Sequence, residues 1–291
     1  MQTKKSVVEL IKMRSSWRKY ARREIAENIK QDILEQVSSP LEGPFGNRVR
    51  FRLVEKDMCE KEAKVKLGTY GFISGAGYFL AGAVKEKEKN FEDYGYQLEK
   101  LILYCTDLGL ATCWLGGSFK RGEFGKALNA AYDEIIPAVT PVGYASEKRG
   151  YRDRLLRMGA GSKHRKTWKD LFFTEDYSTP LSPQGAGDYA VPLEMVRLAP
   201  SASNKQPWRI MKEKNFFRFF LKRTKQYDKM IKAADMQRID MGIAMCHFEL
   251  SAAGQNPEGK WRIEEPESFT PPPEGDMEYI VSWEAAPDAG S

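Results

Sequence analysis

RLAPSASNKQPWRI, residues 197–210, is the stretch that decides how this chain is organised. Small and polar residues follow a predicted helix over 189–198, and Pro207 and Trp208 then lead into a predicted strand. A loop of this composition places backbone and hydroxyl groups against a flat ligand, although the bare pattern is equally that of a turn before a strand. The loop begins two-thirds of the way along a chain of 291 residues, so most of the sequence precedes it.

The composition is that of a globular protein. With 42% hydrophobic and 30% charged residues, the 291-residue chain is long enough for one large domain or two of ordinary size. Its first residues are too charged for a secretory signal, and its longest apolar run, about 77–84, is too short to cross a bilayer. We therefore expect a cytoplasmic protein with no membrane partner.

Metal-binding and disulfide-forming residues are sparse, and the charge is uneven. Four cysteines without a C-x-x-C spacing and two histidines predict neither a disulfide framework nor a metal site. The net charge of +6 is concentrated in residues 1–30 and 147–170, whereas the residues after 257 are mostly acidic. Two basic clusters are compatible with nucleic acid or with a single phosphate group, so the charge alone does not decide.

Hydrophobic periodicity predicts similar elements on both sides of a polar stretch over 174–188. Helices are predicted over 6–13, 24–37, 91–109, 189–198 and 236–253, and strands over 48–54, 139–145, 208–211, 216–221 and 278–283. This order predicts a diverged internal duplication, with chance similarity between ordinary segments as the alternative. We divide the chain into a first half (1–173), a connection (174–188) and a second half (189–291).

The segment MRSSWRKY (13–20) carries groups that bind a phosphate monoester. Arg14 and Arg18 offer forked, charge-assisted hydrogen bonds, and Ser15 and Ser16 add short donors. A basic turn that faces solvent is the alternative.

Two further segments are candidates for the same site. In GLATCWLGG (109–117), Gly116 and Gly117 lack side chains, so their N–H groups are able to approach the edge of a planar ring. A helix cap followed by a tight loop is the alternative. In GSKHRKTW (161–168), Arg165 is able to close over the phosphate, although a run of charges is more often a solvated face.

Two other patterns do not predict a site. SGAGYFLAG (74–82) is similar to a glycine-rich dinucleotide loop, but Leu80 stands where the third glycine is required. No Ser-His-Asp order can be built from two histidines, and the acidic residues form no convincing acid–base pair. We therefore predict no catalytic side chain.

The motifs, taken together, resemble those of the FMN-dependent nitroreductase family. That family has an Arg-x-Ser-x-Arg start, a G-L-x-T-C-W-x-G-G segment and an A-P-S-x-x-N-x-Q-P-W-R loop, all present here. The junction at 165–173, R-K-x-W-x-x-L-F-F, is similar to that of a subgroup of longer chains. The resemblance implies an α+β fold with three α/β/α layers and a mainly antiparallel central sheet.

The resemblance also implies a reaction. FMN is the implied cofactor, NADH or NADPH the electron donor, and an electron-poor small molecule such as a nitroaromatic, a quinone or an enone the acceptor. The implied kinetic mechanism is ping-pong, in which the nicotinamide leaves before the acceptor enters. A solvent proton suffices, so the chemistry is carried by FMN and not by a protein acid or base.

The residues implied to hold FMN fall into four groups. Those implied to contact the phosphate are Arg14, Ser15, Ser16, Arg18 and Arg165. Those implied to meet the ring edge at N5 are Leu115, Gly116 and Gly117. Those implied to flank the ring are Pro200, Ser201, Ala202, Ser203 and Asn204, and those at the pyrimidine edge are Tyr70 and Gly71.

The order of the motifs departs from the family pattern. The usual member is a homodimer in which one subunit contacts the phosphate and N5 and the other supplies the Pro-Ser-x-x-Asn loop. Here the first half has SSPLEGPFGNRVRF where its own loop is expected, and the second has SAAGQNPEGKW where the Gly-Gly pair is expected. We therefore predict an intrachain pseudo-dimer with one FMN site, monomeric or weakly homo-oligomeric, that binds a small-molecule acceptor and no nucleic acid.

Three alternatives stay open. The first is a flavin-binding regulatory or partner-binding protein with little turnover, whose second half and acidic tail cover the pocket. The second is a nucleic-acid-binding protein without flavin, with binding that weakens steeply as salt rises. The third keeps FMN but has another chemistry, such as reductive dehalogenation or flavin breakdown.

Overall fold

The computed structural model describes residues 3–61, 64–147, 164–224, 234–254, 258–263 and 277–286. Its helices are α1 (Val7–Met13), α2 (Glu27–Gln36), α3 (Lys56–Lys61), α4 (Asn90–Asp107), α5 (Arg121–Leu128), α6 (Trp168–Leu171), α7 (Pro183–Ala186), α8 (Ala190–Leu198) and α9 (Met236–Ala253). Its strands are β1 (Leu41–Glu42), β2 (Arg48–Glu55), β3 (Tyr78–Lys85), β4 (Ala111–Thr112), β5 (Glu134–Ile135), β6 (Val139–Gly143), β7 (Phe172–Thr174), β8 (Asp176–Pro180), β9 (Trp208–Glu213), β10 (Phe216–Lys222), β11 (Gly259–Arg262) and β12 (Met277–Ala285).

Strand β3 is the centre of the first sheet, which runs β1-β2-β3-β6-β4 with antiparallel neighbours, while β5 also pairs with β3. Alternate side chains of β3 enter two different cores. Leu80 packs in the core that contains Leu98 of α4, and Phe79 packs in the core that contains Phe124 of α5. The sheet is therefore covered by a helix on each face. The apolar run at 77–84, to which the periodicity assigned no element, is this doubly buried strand.

The second sheet runs β11-β12-β10-β9-β7-β8, and all its neighbours are antiparallel except β7 and β9. Its edge is formed by part of the stretch predicted as a connection. Residues 174–188 contain β8 and α7. Tyr177 of β8, which has polar neighbours in the sequence, packs its ring against Phe173 and Phe220 at centroid distances of 5.7 and 5.6 Å. Strand β7 crosses the predicted boundary at residue 173 and joins the sheet of the second half.

Four strands of each sheet have the same order. In the first half an antiparallel pair, β2–β3, is followed by the long helix α4, and β6 lies between β3 and β4. In the second half the pair β9–β10 is followed by the long helix α9, and β12 lies between β10 and β11. Corresponding strands thus occupy corresponding places, which supports the predicted internal duplication.

Helices α4 and α9 pack against each other through two glycines in a reciprocal arrangement. A Cβ atom built on Gly95 would collide with the carbonyl of Ile239, three residues before Gly242. A Cβ atom built on Gly242 would collide with the carbonyl of Glu92, three residues before Gly95. The contact therefore has an approximate two-fold symmetry that exchanges the helices and pairs Gly95 with Gly242.

The predicted α+β class, with mainly antiparallel pairing, is confirmed, and the strands are distributed over one sheet in each half. Buried residues of both halves, such as Tyr94 and Trp208, belong to one continuous core. Within the described ranges, no helix combines the length and the apolar character needed to cross a membrane.

Candidate functional site

A cavity of about 520 Å³ lies where the two halves meet. The first half contributes Arg14, Ser15, Ser16, Arg18, Tyr70, Phe72, Trp114, Gly116, Gly117, Ser118 and Arg165. The second half contributes Pro200, Ser201, Ala202, Ser203, Asn204, Met236, Ile239, Asp240 and Ile243. Its volume lies within the usual range for small-molecule sites, and the motifs predicted from the sequence meet there.

The Arg/Ser segment reaches the cavity because α1 ends at Met13 and the chain then becomes extended. Helix α1 begins with a capping box between Ser6 and Glu9, and the N–H of Arg14 closes its last turn. Beyond it, Ser16 pairs with Thr112 of β4 as an isolated bridge. This pairing places the first motif beside the loop that follows β4.

Arg14 is a nearly buried residue of the cavity wall. Its side chain is only 7% exposed, and its Nε lies 3.8 Å from Oε1 of Glu99. Among the residues that the structure describes, its Nε and one terminal nitrogen find no hydrogen-bond partner. A buried guanidinium with unused donors is well suited to an anion, which would satisfy both its charge and its hydrogen bonds.

Arg165 brings a second guanidinium to the same cavity. It donates to the side-chain oxygen of Asn204 and, over 3.0 Å, to the carbonyl of Leu198. Burial, together with the like charges of Arg14 and Arg197, lowers the pKa of Arg165 to about 10. An anion placed between Arg14 and Arg165 would relieve this repulsion.

The glycine pair lies directly against the second half. A Cβ atom on Gly116 would collide with the sulfur of Met236, and the carbonyl of Gly116 accepts a 2.7 Å hydrogen bond from Arg121. Leu115 does not line the cavity, because its side chain is buried and its N–H and C=O both pair with Val139. The structure therefore brings Gly116 and Gly117 to the cavity without Leu115.

A tight turn at Thr69–Phe72 supplies two aromatic side chains. Tyr70 and Gly71 have φ values of +47° and +76°, and the N–H of Phe72 donates to the carbonyl of Thr69 over 2.8 Å. Tyr70 and Phe72 line the cavity and stay 64% and 40% exposed, whereas Gly71 does not line it. The turn therefore places two partly exposed aromatic residues in the cavity wall.

The loop at residues 200–206 is strained and held by several hydrogen bonds. Ser203, Asn204 and Gln206 have φ values of 50°, 54° and 49°, a conformation that is unfavourable without a glycine. Such strain persists only where surrounding contacts fix it. The N–H of Ala202 donates to both carboxylate oxygens of Asp240, over 2.9 and 3.1 Å.

Residues 164–166 of the first half fix the other side of this loop. The N–H of Lys166 donates to Gln206 over 2.8 Å, and Asn204 donates to the carbonyl of His164 over 2.8 Å. With the bonds from Arg165, these contacts connect the basic segment to the loop of the second half. The remainder of the segment, 161–163, lies outside the described residues.

Helix α9 supplies residues that the sequence motifs did not identify. Met236, Ile239 and Ile243 form an apolar floor, and Asp240 lies beside them. Burial raises the pKa of Asp240 well above its usual range, although the Ala202 amide acts in the opposite direction. The helix itself was predicted, but apolar residues around its whole circumference did not reveal which face meets the loop.

The family profile described as "Putative TM nitroreductase" matches residues 6–252 of this sequence. The chain belongs to that nitroreductase family. Membership supports a general oxidoreductase role. No curated protein matches the sequence.

Solved structures of other nitroreductases are similar. A putative nitroreductase from Thermotoga maritima is 18% identical, with 99% of this chain and 97% of that chain covered at a TM-score of 0.60, which shows a shared fold. A nitroreductase family protein from Clostridium novyi is 20% identical, covering 49% of this chain and 87% of that one at 0.40. An FMN-dependent nitroreductase from Clostridium difficile is 19% identical, with 50% and 91% covered at 0.38.

Proposed function

We propose that this nitroreductase-family protein binds FMN in the cavity between its halves and transfers hydride from NADH or NADPH to an electron-poor small molecule. Nitroaromatics, quinones and enones are the acceptor classes. When bound, FMN supplies the hydride chemistry, and the protein supplies binding, orientation and electrostatics.

The observation that carries this proposal is the pair Arg14 and Arg165 at one end of the cavity. Both guanidiniums line the cavity and are largely buried, and they are close enough for the charge of Arg14 to lower the pKa of Arg165. The hydroxyls of Ser15 and Ser16 line the same cavity. This donor set fits the phosphate monoester of FMN, because guanidinium groups bind phosphate oxygens through paired, charge-assisted hydrogen bonds.

The rest of the cavity fits a flat ring system. Gly116 and Gly117 expose backbone, and Met236 and Ile239 offer apolar surface from the second half. These groups exclude water from a ring and leave room for its close approach to the backbone. We assign the ring edge to Gly116 and Gly117 and one face of the ring to the loop at 200–204.

We further propose one FMN site per chain. The two-fold relation between α4 and α9 matches Ile239 with Glu92, whose fully buried carboxylate forms a 2.6 Å ion pair with Arg238. It also matches Met236 with Lys89 and Ile243 with Tyr96. A second, symmetry-related site would therefore have charged groups where the first has an apolar floor.

Bulky side chains stand at other matching positions of this second site. Phe45, whose N–H donates to Asp93, corresponds to Ala202, whose N–H donates to Asp240. In the sequence, the shift of 147 residues that relates Gly95 to Gly242 also relates Trp114 to Trp261 and Gly116 to Ile263. A side chain at that position denies a flavin ring access to the backbone.

The test is a visible spectrum of the purified protein, followed by quantification of released flavin against protein and by steady-state oxidation of NADH and NADPH with a panel of acceptors. We expect about one FMN per chain and initial-rate patterns with parallel lines. Flavin without turnover would favour the binding-protein alternative. No flavin after incubation with excess FMN would overturn the proposal, and two flavins per chain would overturn the single site.

A further inference from the structure

Glu99 of α4 is a buried carboxylate behind the phosphate end of the cavity, outside the residues that line it. Its Oε2 accepts a 2.6 Å hydrogen bond from the indole of Trp114. Its Oε1 lies 2.9 Å from Nε2 of His247 and 3.8 Å from Nε of Arg14. Glu99 and His247 are both fully buried, and His247 belongs to α9 of the second half. The cluster therefore joins both halves directly behind two cavity residues.

The hydrogen bonds of His247 fix the number of protons in this cluster. Its Nδ1 lies 2.9 Å from the carbonyl of Met195, which only accepts, so Nδ1 carries a proton. Its Nε2 then either donates to Glu99 as an imidazolium or accepts from a protonated Glu99. In both cases one proton lies between Nε2 of His247 and Oε1 of Glu99, so the two side chains together carry no net charge.

This proton resolves a conflict at the phosphate end. A carboxylate next to a phosphate-binding arginine holds its guanidinium in place, but it also cancels the positive charge that attracts the anion. Because Glu99 and His247 share this proton, Arg14, Glu99 and His247 together carry one net positive charge. Arg14 is then both oriented and attractive to phosphate.

We propose that Glu99 and His247 are a positioning pair for Arg14: Glu99 orients the guanidinium, and the proton that His247 shares with Glu99 keeps the cluster positive for the phosphate of the ligand. This proposal rests on the proposed binding of FMN. It gives the second half a role in phosphate binding that is separate from the loop at 200–204.

The chain contains a matched control. Trp261, the counterpart of Trp114, donates to Glu249 of the second half over 2.6 Å. Neither residue lines the cavity around Arg14. Glu249→Gln therefore changes the same kind of Trp–Glu contact away from the phosphate end.

The experiment compares dissociation constants for FMN and riboflavin, measured by flavin fluorescence titration of flavin-free protein. Riboflavin lacks the phosphate, so the FMN-to-riboflavin affinity ratio isolates the phosphate contribution from general damage to the fold. The variants are His247→Gln, Glu99→Gln, the double variant and Glu249→Gln, each checked by circular dichroism.

His247→Gln leaves the Glu99 charge unbalanced beside Arg14, so we expect the ratio to fall on the order of tenfold or more. Glu99→Gln removes the group that orients Arg14 but keeps the net positive charge of the cluster. Because FMN must then order the Arg14 side chain itself, we expect the affinity ratio to fall roughly three- to tenfold. The double variant should recover much of the loss seen in His247→Gln. Glu249→Gln should bind both flavins like the wild type.

An equal loss of affinity for FMN and riboflavin in His247→Gln, or no recovery of the affinity ratio in the double variant, would overturn the positioning pair. Neither result would contradict the proposal that the wild-type protein binds FMN. If His247→Gln does not fold, the Glu99→Gln ratio decides, and an unchanged ratio overturns the proposal. A wild-type protein that binds neither flavin would overturn the proposed function itself, and the proposal with it.

Discussion

Asp93 and Asp240 occupy matching positions on the two central helices, but among the described residues Asp93 accepts hydrogen bonds from two backbone amides and Asp240 from one. The oxygens of Asp93 accept from Phe45 over 2.9 Å and from Asn47 over 2.8 Å. Both oxygens of Asp240 share the single N–H of Ala202. In the first half, the aspartate uses each of its carboxylate oxygens to hold a different loop amide. In the second half, both oxygens of Asp240 contact one amide, so the carboxylate is able to accept further hydrogen bonds beside the cavity.

This difference predicts opposite responses to amide substitution. Asp93→Asn retains one acceptor and turns an NH2 group towards the second amide, so one buried N–H loses its partner. We expect a loss of about 1–3 kcal/mol in the free energy of unfolding, measured by urea denaturation at pH 7. Asp240→Asn keeps an oxygen for Ala202 and should lose little. Equal destabilisation of both variants would contradict the distinction.

Asp240 also predicts a pH dependence of stability. Because its folded pKa is raised, the folded protein keeps a proton that the unfolded chain releases above the usual aspartate range. The free energy of unfolding should therefore decline as pH rises towards the folded pKa, by about 1.4 kcal/mol per pH unit from this group. Urea denaturation at pH 5 and 7 should show a shallower decline for Asp240→Asn than for wild type. The exposed Asp188→Asn serves as a control, and equal slopes in all three proteins would contradict the prediction.

The reciprocal glycine contact predicts that substitutions at two positions far apart in the sequence destabilise the folded protein to a similar extent. A methyl group at Gly95 or Gly242 meets backbone of the opposite helix, which cannot move aside as a flexible side chain can. We expect Gly95→Ala and Gly242→Ala each to lower the free energy of unfolding by about 1–3 kcal/mol or more, measured by urea denaturation. Gly122→Ala is the matched control, because its Cβ meets nothing within 4 Å in α5. It should be neutral or slightly stabilising, as alanine favours helix, and a larger loss there than at Gly242 would refute the packing argument.

Arg14→Ala tests the phosphate end directly. Removal of a buried, charged donor should weaken FMN binding by about 1.5–3 kcal/mol, as is typical for a hydrogen bond to a charged group. Fluorescence titration of flavin-free protein measures this loss. Arg48→Ala, at an exposed position of β2, should bind FMN like wild type. Unchanged affinity in Arg14→Ala would remove this residue from the site.

Ser201→Trp tests the contribution of the second half. An indole at this lining position fills space assigned to the flavin, so we expect flavin retention to be abolished while the circular dichroism spectrum stays native. Ser201→Ala loses the same 2.9 Å bond from Gln206 without adding volume and should retain flavin. Normal flavin binding in Ser201→Trp would contradict a loop that crosses over from the second half.

Sequence patterns predicted the long helices and several strands, but they missed β3 and β8. The alternation of Val49, Phe51 and Leu53 predicted β2, and the helix predicted over 236–253 corresponds to α9. Strand β3 was missed because burial on both faces removes the alternation on which such predictions depend. Strand β8 was missed because most of its residues are exposed and Tyr177 alone packs inward.

Within the candidate site, local motifs were informative and contacts between distant segments were not. The Arg/Ser segment, the glycine pair and the 200–204 loop carry their chemistry in consecutive residues, and all three line one cavity. Leu115 was included because the family resemblance implied it at the ring edge, yet its N–H and C=O both pair with Val139. Glu99 and His247 are 148 residues apart in the sequence, and the packing of α4 on α9 brings them together.

The placement of both cavity walls on one polypeptide has a consequence for how the protein behaves on dilution and how it evolves. A site divided between separate subunits disassembles by mass action when the protein is dilute, whereas covalent linkage keeps one wall at a constant effective concentration near the other. Flavin retention should therefore not depend on the protein concentration. In addition, a mutation in this gene changes one cavity wall only, whereas in a homodimer the same mutation appears in both subunits. Each wall is therefore free to change independently.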